Sequence, residues 1–203
     1  MVFEVRFHGR GGQGAVTAAE LLALAAFEED RFAQSFPSFG SERTGAPVAA
    51  YCRLDDHAIR TREPVITPDF LMVIDATLVH QVDLFSGLSA DGFVLVNTSR
   101  TFAELGLGEL SQKFRSDHLR TTPATEIALR HTGRPMPNAA LLGGFAAMTN
   151  EVSIGAIESA IRDRFSDRPS MAERNVVAAA EVYRQISQLG SGGALEVSGV
   201  AAD

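Results

Sequence analysis

The stretch HGRGGQGAV at residues 8–16 constrains the fold of this chain more than any other. It places Gly9, Gly11, Gly12 and Gly14 within six positions. Before it, VFEVRF alternates, with Phe3, Val5 and Phe7 on one side and Glu4 and Arg6 on the other, the period-2 signature of a strand. After it, AVTAAELLALAAFEE at 15–29 consists of strong helix formers and is apolar on nearly every side, which predicts a buried helix. Strand, glycine turn and helix form the opening half of an α/β unit. Gly9, Gly11 and Gly14 fit G-x-G-x-x-G in that context. Such a turn adopts backbone angles closed to other residues, allows close approach to the main chain, and leaves free amides at a helix start that attract an anion, a phosphate above all. Arg10 and Gln13 add donors, Arg10 as a charged fork. Residues Gly9, Arg10, Gly11, Gly12, Gln13 and Gly14 are therefore the candidate cofactor-binding set.

Further along, PVAAYCR (47–53), DFLMVID (69–75), GFVLVN (92–97) and 119–122 read as strands, with a short helix over Thr77–Phe85. Residues 32–47 carry serines, glycines and prolines without a period and read as one long irregular loop. A helix from Ala124 is expected to stop at Gly133, and ALLGGFAAM forms an apolar helix whose two glycines mark close packing. Ser153 caps the next helix. Ser170 and Glu173 have capping-box spacing ahead of a last helix with Val176, Val177, Ala180 and Tyr183 as its apolar stripe. The linkers around 47–69 are too short for crossover helices, so the sheet is mixed. The expected fold is α/β: one three-layer α/β/α, Rossmann-like domain over 1–189, followed by a small, polar tail at 190–203.

Composition narrows the function. A net charge of −7 with no basic run excludes nucleic acid and anionic membrane as main partners. No apolar run reaches the ~18 residues of a spanning helix, and Met1 leads directly into a strand, which points to the cytoplasm. The single cysteine, Cys52, cannot supply the thiolates of an iron–sulfur cluster and reads as a core residue, and the five histidines lack metal-ligand spacing. No catalytic residue and no metal ligand is assigned. A dinucleotide fold also carries an acid after its second strand to bind the ribose; none lies between Arg31 and Ser41. In SFPSFGSERTGAP, Phe36, Phe39, Glu42 and Arg43 make a candidate interface, with apolar anchors beside an arginine. Asp75 either contacts a ligand at a strand end or caps the following helix. These features leave a stand-alone Rossmann-type nucleotide-binding oxidoreductase and a non-catalytic scaffold module open as alternatives.

Taken in order, GRGGQG after an N-terminal strand, AELLA, FPSFGSERTGAPV, PDFLMVID and PNAALLGGFA resemble the gamma subunit of 2-oxoacid:acceptor oxidoreductases, the pyruvate:ferredoxin oxidoreductase group. The resemblance runs from about residue 3 to about residue 186. It implies one chain of a multi-subunit enzyme that oxidatively decarboxylates a 2-oxoacid to its acyl-CoA and CO2. It further implies thiamine diphosphate, Mg2+ and [4Fe-4S] clusters held by alpha, beta and delta-type subunits, coenzyme A as substrate, and ferredoxin or an NAD- or flavin-linked subunit as acceptor. This chain would then serve assembly, active-site closure and contact with coenzyme A. Thr44 stands where family members often have arginine, so pyruvate, branched-chain and aryl 2-oxoacids all remain open as substrates.

Overall fold

A computed structural model of the chain describes residues 2–38, 44–61 and 63–191. Six strands, β1 (Phe3–Arg10), β2 (Phe32–Pro37), β3 (Pro47–Asp55), β4 (Phe70–Val73), β5 (Phe93–Asn97) and β6 (Leu119–Thr122), form one sheet in the order β2-β3-β1-β4-β5-β6. Strands β1, β4, β5 and β6 run parallel, while β3 is antiparallel to both β1 and β2. The mixed sheet expected from the short linkers is present.

Alternation along the strands divides the core. Val5 and Phe7 of β1, Ala50, Cys52 and Leu54 of β3, Phe70 and Met72 of β4, and Leu95 of β5 face one cluster. Against it pack α1 (Ala15–Phe27), α3 (Ala124–Thr132), α4 (Asn138–Thr149), α5 (Ile154–Arg164) and α6 (Pro169–Ser191). The intervening residues Leu71, Val73, Val94 and Val96 face a smaller cluster, closed by Leu78, Leu84, Leu105 and Leu107. That second layer consists of loops, short 3-10 turns and the single-turn α2 (Gly108–Ser111), so its cover is thinner than the three-layer expectation suggested. Over β1 and β3 it is polar. The Arg6 guanidinium, 7% exposed, donates from Nη2 to the Leu84 and Ser86 carbonyls at 2.7 Å each, and Arg53 bonds the Glu4 carboxylate at 2.6 Å.

The two glycines of α4 have a packing reason. A Cβ on Gly143 would run into the Ala179 carbonyl of α6, and one on Gly144 would lie 2.7 Å from Leu95 Cδ2 and 2.9 Å from Ile186 Cδ1. The two helices and the sheet approach at backbone distance, which only a residue without a side chain permits. Gly133 ends α3 in the left-handed conformation, φ 72°, and Ser153 caps α5 by accepting from the Ala156 N–H, both as expected.

Four expectations are corrected. Residues 32–37, read as part of an irregular loop, pair with β3 from Phe32↔Asp55 to Pro37↔Ala50. As an edge strand β2 is half-exposed throughout, so it shows no alternation, and it tolerates Pro37 because no outer neighbour needs its missing N–H. The helix over Thr77–Phe85 is a 3-10 turn limited to Ala76–His80. The last helix already begins at Pro169, so Ser170 lies inside it rather than capping it, and Glu173 pairs with Arg162 at 2.7 Å. Its buried stripe is Val176, Ala179, Val182 and Ile186; Val177 is 45% exposed, one step off that face. The tail from 192 lies outside the described residues.

Candidate functional site

The glycine turn sits at the C-terminal end of β1, where open parallel sheets gather their ligands. Gly12 (φ 94°) and Gly14 (φ 82°) are both left-handed, so the pattern of glycines follows from the backbone path. The turn is braced by the chain leading into β3. Gly11 N donates to the Ala46 carbonyl at 2.9 Å, Gly45 N to the Gly11 carbonyl at 3.1 Å, and Gly11 bridges Thr44. Within it, Arg10 N donates to Gln13 Oε1 at 2.7 Å, and Gln13 N to the Arg10 carbonyl at 3.0 Å.

The side chains of Arg10 and Gln13 do not offer the free donors expected of them. Arg10 Nε bonds Asp75 at 3.1 Å, Nη1 the Gly45 carbonyl, and Nη2 both Thr77 Oγ1 and Gln81 Oε1. Gln13 Nε2 bonds the same Asp75 oxygen at 2.7 Å. Asp75, at the end of β4, also caps the 3-10 turn by accepting from Thr77 N at 2.9 Å. It thus performs the capping role expected of it and clamps the turn besides. Burial disfavours its charge, but hydrogen bonds from Thr77 and Gln13 and the nearby Arg10 cation outweigh that, holding the carboxyl below the usual carboxylate range.

What the turn does offer is main chain. The N–H groups of Gly12, Gly14, Ala15, Val16 and Thr17 have no acceptor among the described residues. These residues line a cleft of about 290 Å³, closed by Val48 and Met136. Unpaired amides at the start of a 13-residue helix make a site of positive potential shaped for an anion. One residue that sequence reasoning missed adjoins it. Asn138, first in α4 and 6% exposed, lies against Gly14, where a Cβ would sit 2.8 Å from Asn138 Nδ2. Only its following a proline-broken segment marked it in the sequence.

The other candidates are distributed elsewhere. Cys52 is fully buried and desolvation pushes its thiol up, as befits a core residue. Phe36, on β2, packs against Tyr51 with ring centroids 5.2 Å apart and tilted by 41°, and the Arg53 guanidinium lies over its ring. Phe39, Glu42 and Arg43 lie outside the described residues. Among the described residues no group of three or more His, Cys, Asp or Glu is placed to hold a metal, and no helix is long and apolar enough to cross a membrane.

Comparison with known proteins decides the family. Residues 4–185 match the pyruvate ferredoxin/flavodoxin oxidoreductase family. The chain belongs to it. It is 45% identical over 189 residues to the pyruvate synthase subunit PorC of Methanothermobacter marburgensis, covering 93% of this chain and all of that one. It is 46% identical to the pyruvate/ketoisovalerate oxidoreductases common subunit gamma of Pyrococcus furiosus, over 91% of this chain and 97% of that one. The crystal structure of the pyruvate oxidoreductase subunit PORC from Thermotoga maritima superposes with a TM-score of 0.76 at 36% identity, over 90% of this chain and 96% of that one. The chain is accordingly a gamma-type subunit of a multi-subunit 2-oxoacid oxidoreductase, as the ordered motifs implied, rather than a stand-alone Rossmann enzyme.

Proposed function

We propose that this gamma-type subunit binds coenzyme A through its glycine turn, in a cytoplasmic complex that oxidatively decarboxylates a 2-oxoacid to acyl-CoA and CO2. Pyruvate heads the candidate substrates, because the relatives at 45–46% identity are named for pyruvate or pyruvate and ketoisovalerate. The thiamine diphosphate, Mg2+ and [4Fe-4S] clusters belong to alpha, beta and delta-type partners, consistent with a single, sealed cysteine in this chain. Ferredoxin or a flavin- or NAD-linked subunit takes the electrons. This chain supplies assembly, closure of the active site and a grip on the coenzyme.

The observation that carries the coenzyme assignment is the set of five unpaired amides, Gly12 and Gly14–Thr17, around one cleft. Preorganised N–H dipoles of this kind suit the diphosphate of coenzyme A. Val16→Glu tests it, because a carboxylate at the helix start is tolerated by the helix yet competes with phosphate for the same amides. In the assembled complex the KM for coenzyme A should rise roughly tenfold or more, the loss of about one charge-assisted contact. An unchanged KM, with the phosphates located crystallographically away from residues 9–17, would refute it.

The β2 edge with Phe36, together with the sequence positions Phe39, Glu42 and Arg43, is proposed as the surface that meets a partner subunit. Phe32 on β2, 47% exposed, is an apolar group that remains in solvent in the isolated chain. Arg43→Glu should weaken copurification with the other subunits, and intact assembly would count against this face.

A further inference from the structure

At the end of the sheet opposite the glycine turn, a hollow of about 470 Å³ lies between the far strands and the last turns of α6. Phe93 at the start of β5 and Arg120 of β6 form its floor. Met148, in the last turn of α4, stands on one side and Tyr183 and Ile186 of α6 on the other. The hollow carries charge without a counterpart. Arg120 Nη1 donates to the Ser116 and Leu119 carbonyls at 2.9 Å each, and its side chain meets no carboxylate among the described residues. Asp117, the acid that lines the hollow, is engaged by Arg115 at 2.8 Å. His118 adds to the basic wall, its ring lying on Phe93 with centroids 3.9 Å apart and its Nδ1 donating to the Asp91 carbonyl at 2.8 Å. In a chain of net charge −7, this is a local excess of basic groups over acid.

An apolar strip leads out of the hollow. Ile186, 3% exposed, lines it, and Leu189, three positions further along the same face of α6, is 43% exposed. Beyond the helix end the chain supplies a segment of matching chemistry. Helix α6 ends at Ser191, and GGALEVSGVAAD follows, with the acids Glu196 and Asp203 and no lysine or arginine. Gly192 and Gly193 have the backbone freedom to reverse the chain directly after the helix. From Ser191 back to Tyr183 the helix covers about 12 Å at its rise of ~1.5 Å per residue. Residues 194–197 in extended form span about 13 Å at ~3.3 Å each, enough to run back along that length. Alternation then places Leu195 and Val197 on one side and Glu196 on the other.

We propose that this hollow seats the chain's own C-terminal segment, with Glu196 paired to Arg120 and with Leu195 and Val197 against Ile186 and Leu189. Tyr183 Oη and the Asn150 amide, which also line the hollow, have no hydrogen-bond partner among the described residues and suit the main chain of an extended segment. A two-glycine tether keeps the segment at an effective concentration in the millimolar range, so one ion pair and a few apolar contacts suffice to hold it. Seated there, it lies beside β6, the outermost strand of the sheet, and shields an edge whose unpaired N–H and C=O groups would otherwise template pairing with another chain. The inference is independent of the reading of the glycine turn.

The test measures amide hydrogen exchange along the C-terminal segment of the full chain, alone and in the assembled complex. In the isolated chain the amides of residues 195–197 should exchange about tenfold or more slowly than those of 200–203. Arg120→Glu and Glu196→Arg should each abolish that protection, and the swap Arg120→Glu/Glu196→Arg should restore it, a rescue that a purely structural role for Arg120 would not give. Glu196 follows the last helix, so Glu196→Arg leaves the core untouched and keeps the test decisive even where Arg120→Glu unfolds. Ending the chain at Ser191 should shift the NMR signals of Met148 and Tyr183. Amides 195–197 that exchange at the unprotected rate, or protection that survives both charge reversals, overturn the proposal. So does an unprotected segment in the isolated chain together with loss of a partner subunit from the Arg120→Glu complex, which would make the hollow a dock for an acidic segment of that partner.

Discussion

Replacing Gly143 by alanine separates packing from intrinsic helix preference. On preference alone the change helps, since glycine within a helix costs roughly 0.5–1 kcal/mol relative to alanine. The structure reverses the sign. The new methyl would overlap the Ala179 carbonyl, with the Ala179 Cα only 3.1 Å away, and backbone cannot rotate aside as a side chain can. Relief requires α6 to withdraw from α4, loosening Val182 and Ile186, both buried, along the same seam. Overpacking costs about 1–3 kcal/mol where side chains yield and more where they cannot, so the net loss should be about 3 kcal/mol. For a chain of this size that lowers Tm by roughly 6–12 °C. Gly155→Ala is the matched control, because a Cβ there meets nothing closer than Ser153 Oγ at 3.7 Å; it should gain about 0.5–1 kcal/mol. Denaturant titration of both variants measures the difference. Equal stabilities within about 0.5 kcal/mol, the scatter of an ordinary surface change, would show that the α4–α6 contact is looser than described and refute the reasoning.

Other outcomes follow from the turn and the strand beneath it. His8 is held neutral by burial and by the Arg6 charge, its pKa depressed to about 4. A depressed folded value means that its stabilising contribution is complete above the unfolded pKa of ~6.5 and is lost as pH falls toward 4, about 3 kcal/mol in all. His8→Gln should flatten the stability profile across that window, and an unaltered slope would contradict it. Asp75→Ala strips acceptors from Arg10, Gln13 and Thr77 and should cost about 2 kcal/mol, with faster amide exchange at residues 10–14. Its carboxyl is also held below the usual range, so wild type should lose this advantage only as pH drops below ~3.9 through the lowered value; exchange identical to wild type at neutral pH would exclude the clamp. Gly14→Ala forces a side chain to φ 82° and against Asn138, and should cost about 1–2 kcal/mol and weaken coenzyme binding, checked by unfolding and calorimetry.

The parts of this chain legible beforehand are those where local chemistry and tertiary context agree. The left-handed glycines, the buried α1, the Ser153 cap and the Gly133 stop each follow from the residue at that position. The parts that were not legible depend on partners distant in sequence. FAQSFP becomes β2 only because β3 lies beside it, and as an edge it carries no alternating pattern. The stripe on α6 was misplaced at Val177 because a run of two valines and three alanines, 176–180, leaves the helix phase ambiguous until α4 fixes it. At the site, the glycines announced an anion cradle, but nothing in the sequence said that Arg10 would be spent on Asp75, 65 positions on. Asn138 was invisible for the same reason: its burial against Gly14 exists only once the chain is folded.

The sealed sulfur of β3 has a practical use. Cys52 has no surface, and its thiol is pushed well above the range where thiolate forms at neutral pH, so maleimides and iodoacetamides have nothing to attack on the folded chain. A single cysteine engineered at an exposed position such as Glu20 would be the sole reactive handle without removing a native one. Spectroscopic rulers attached there could report the distance from this subunit to a dye or spin label on its neighbours during turnover.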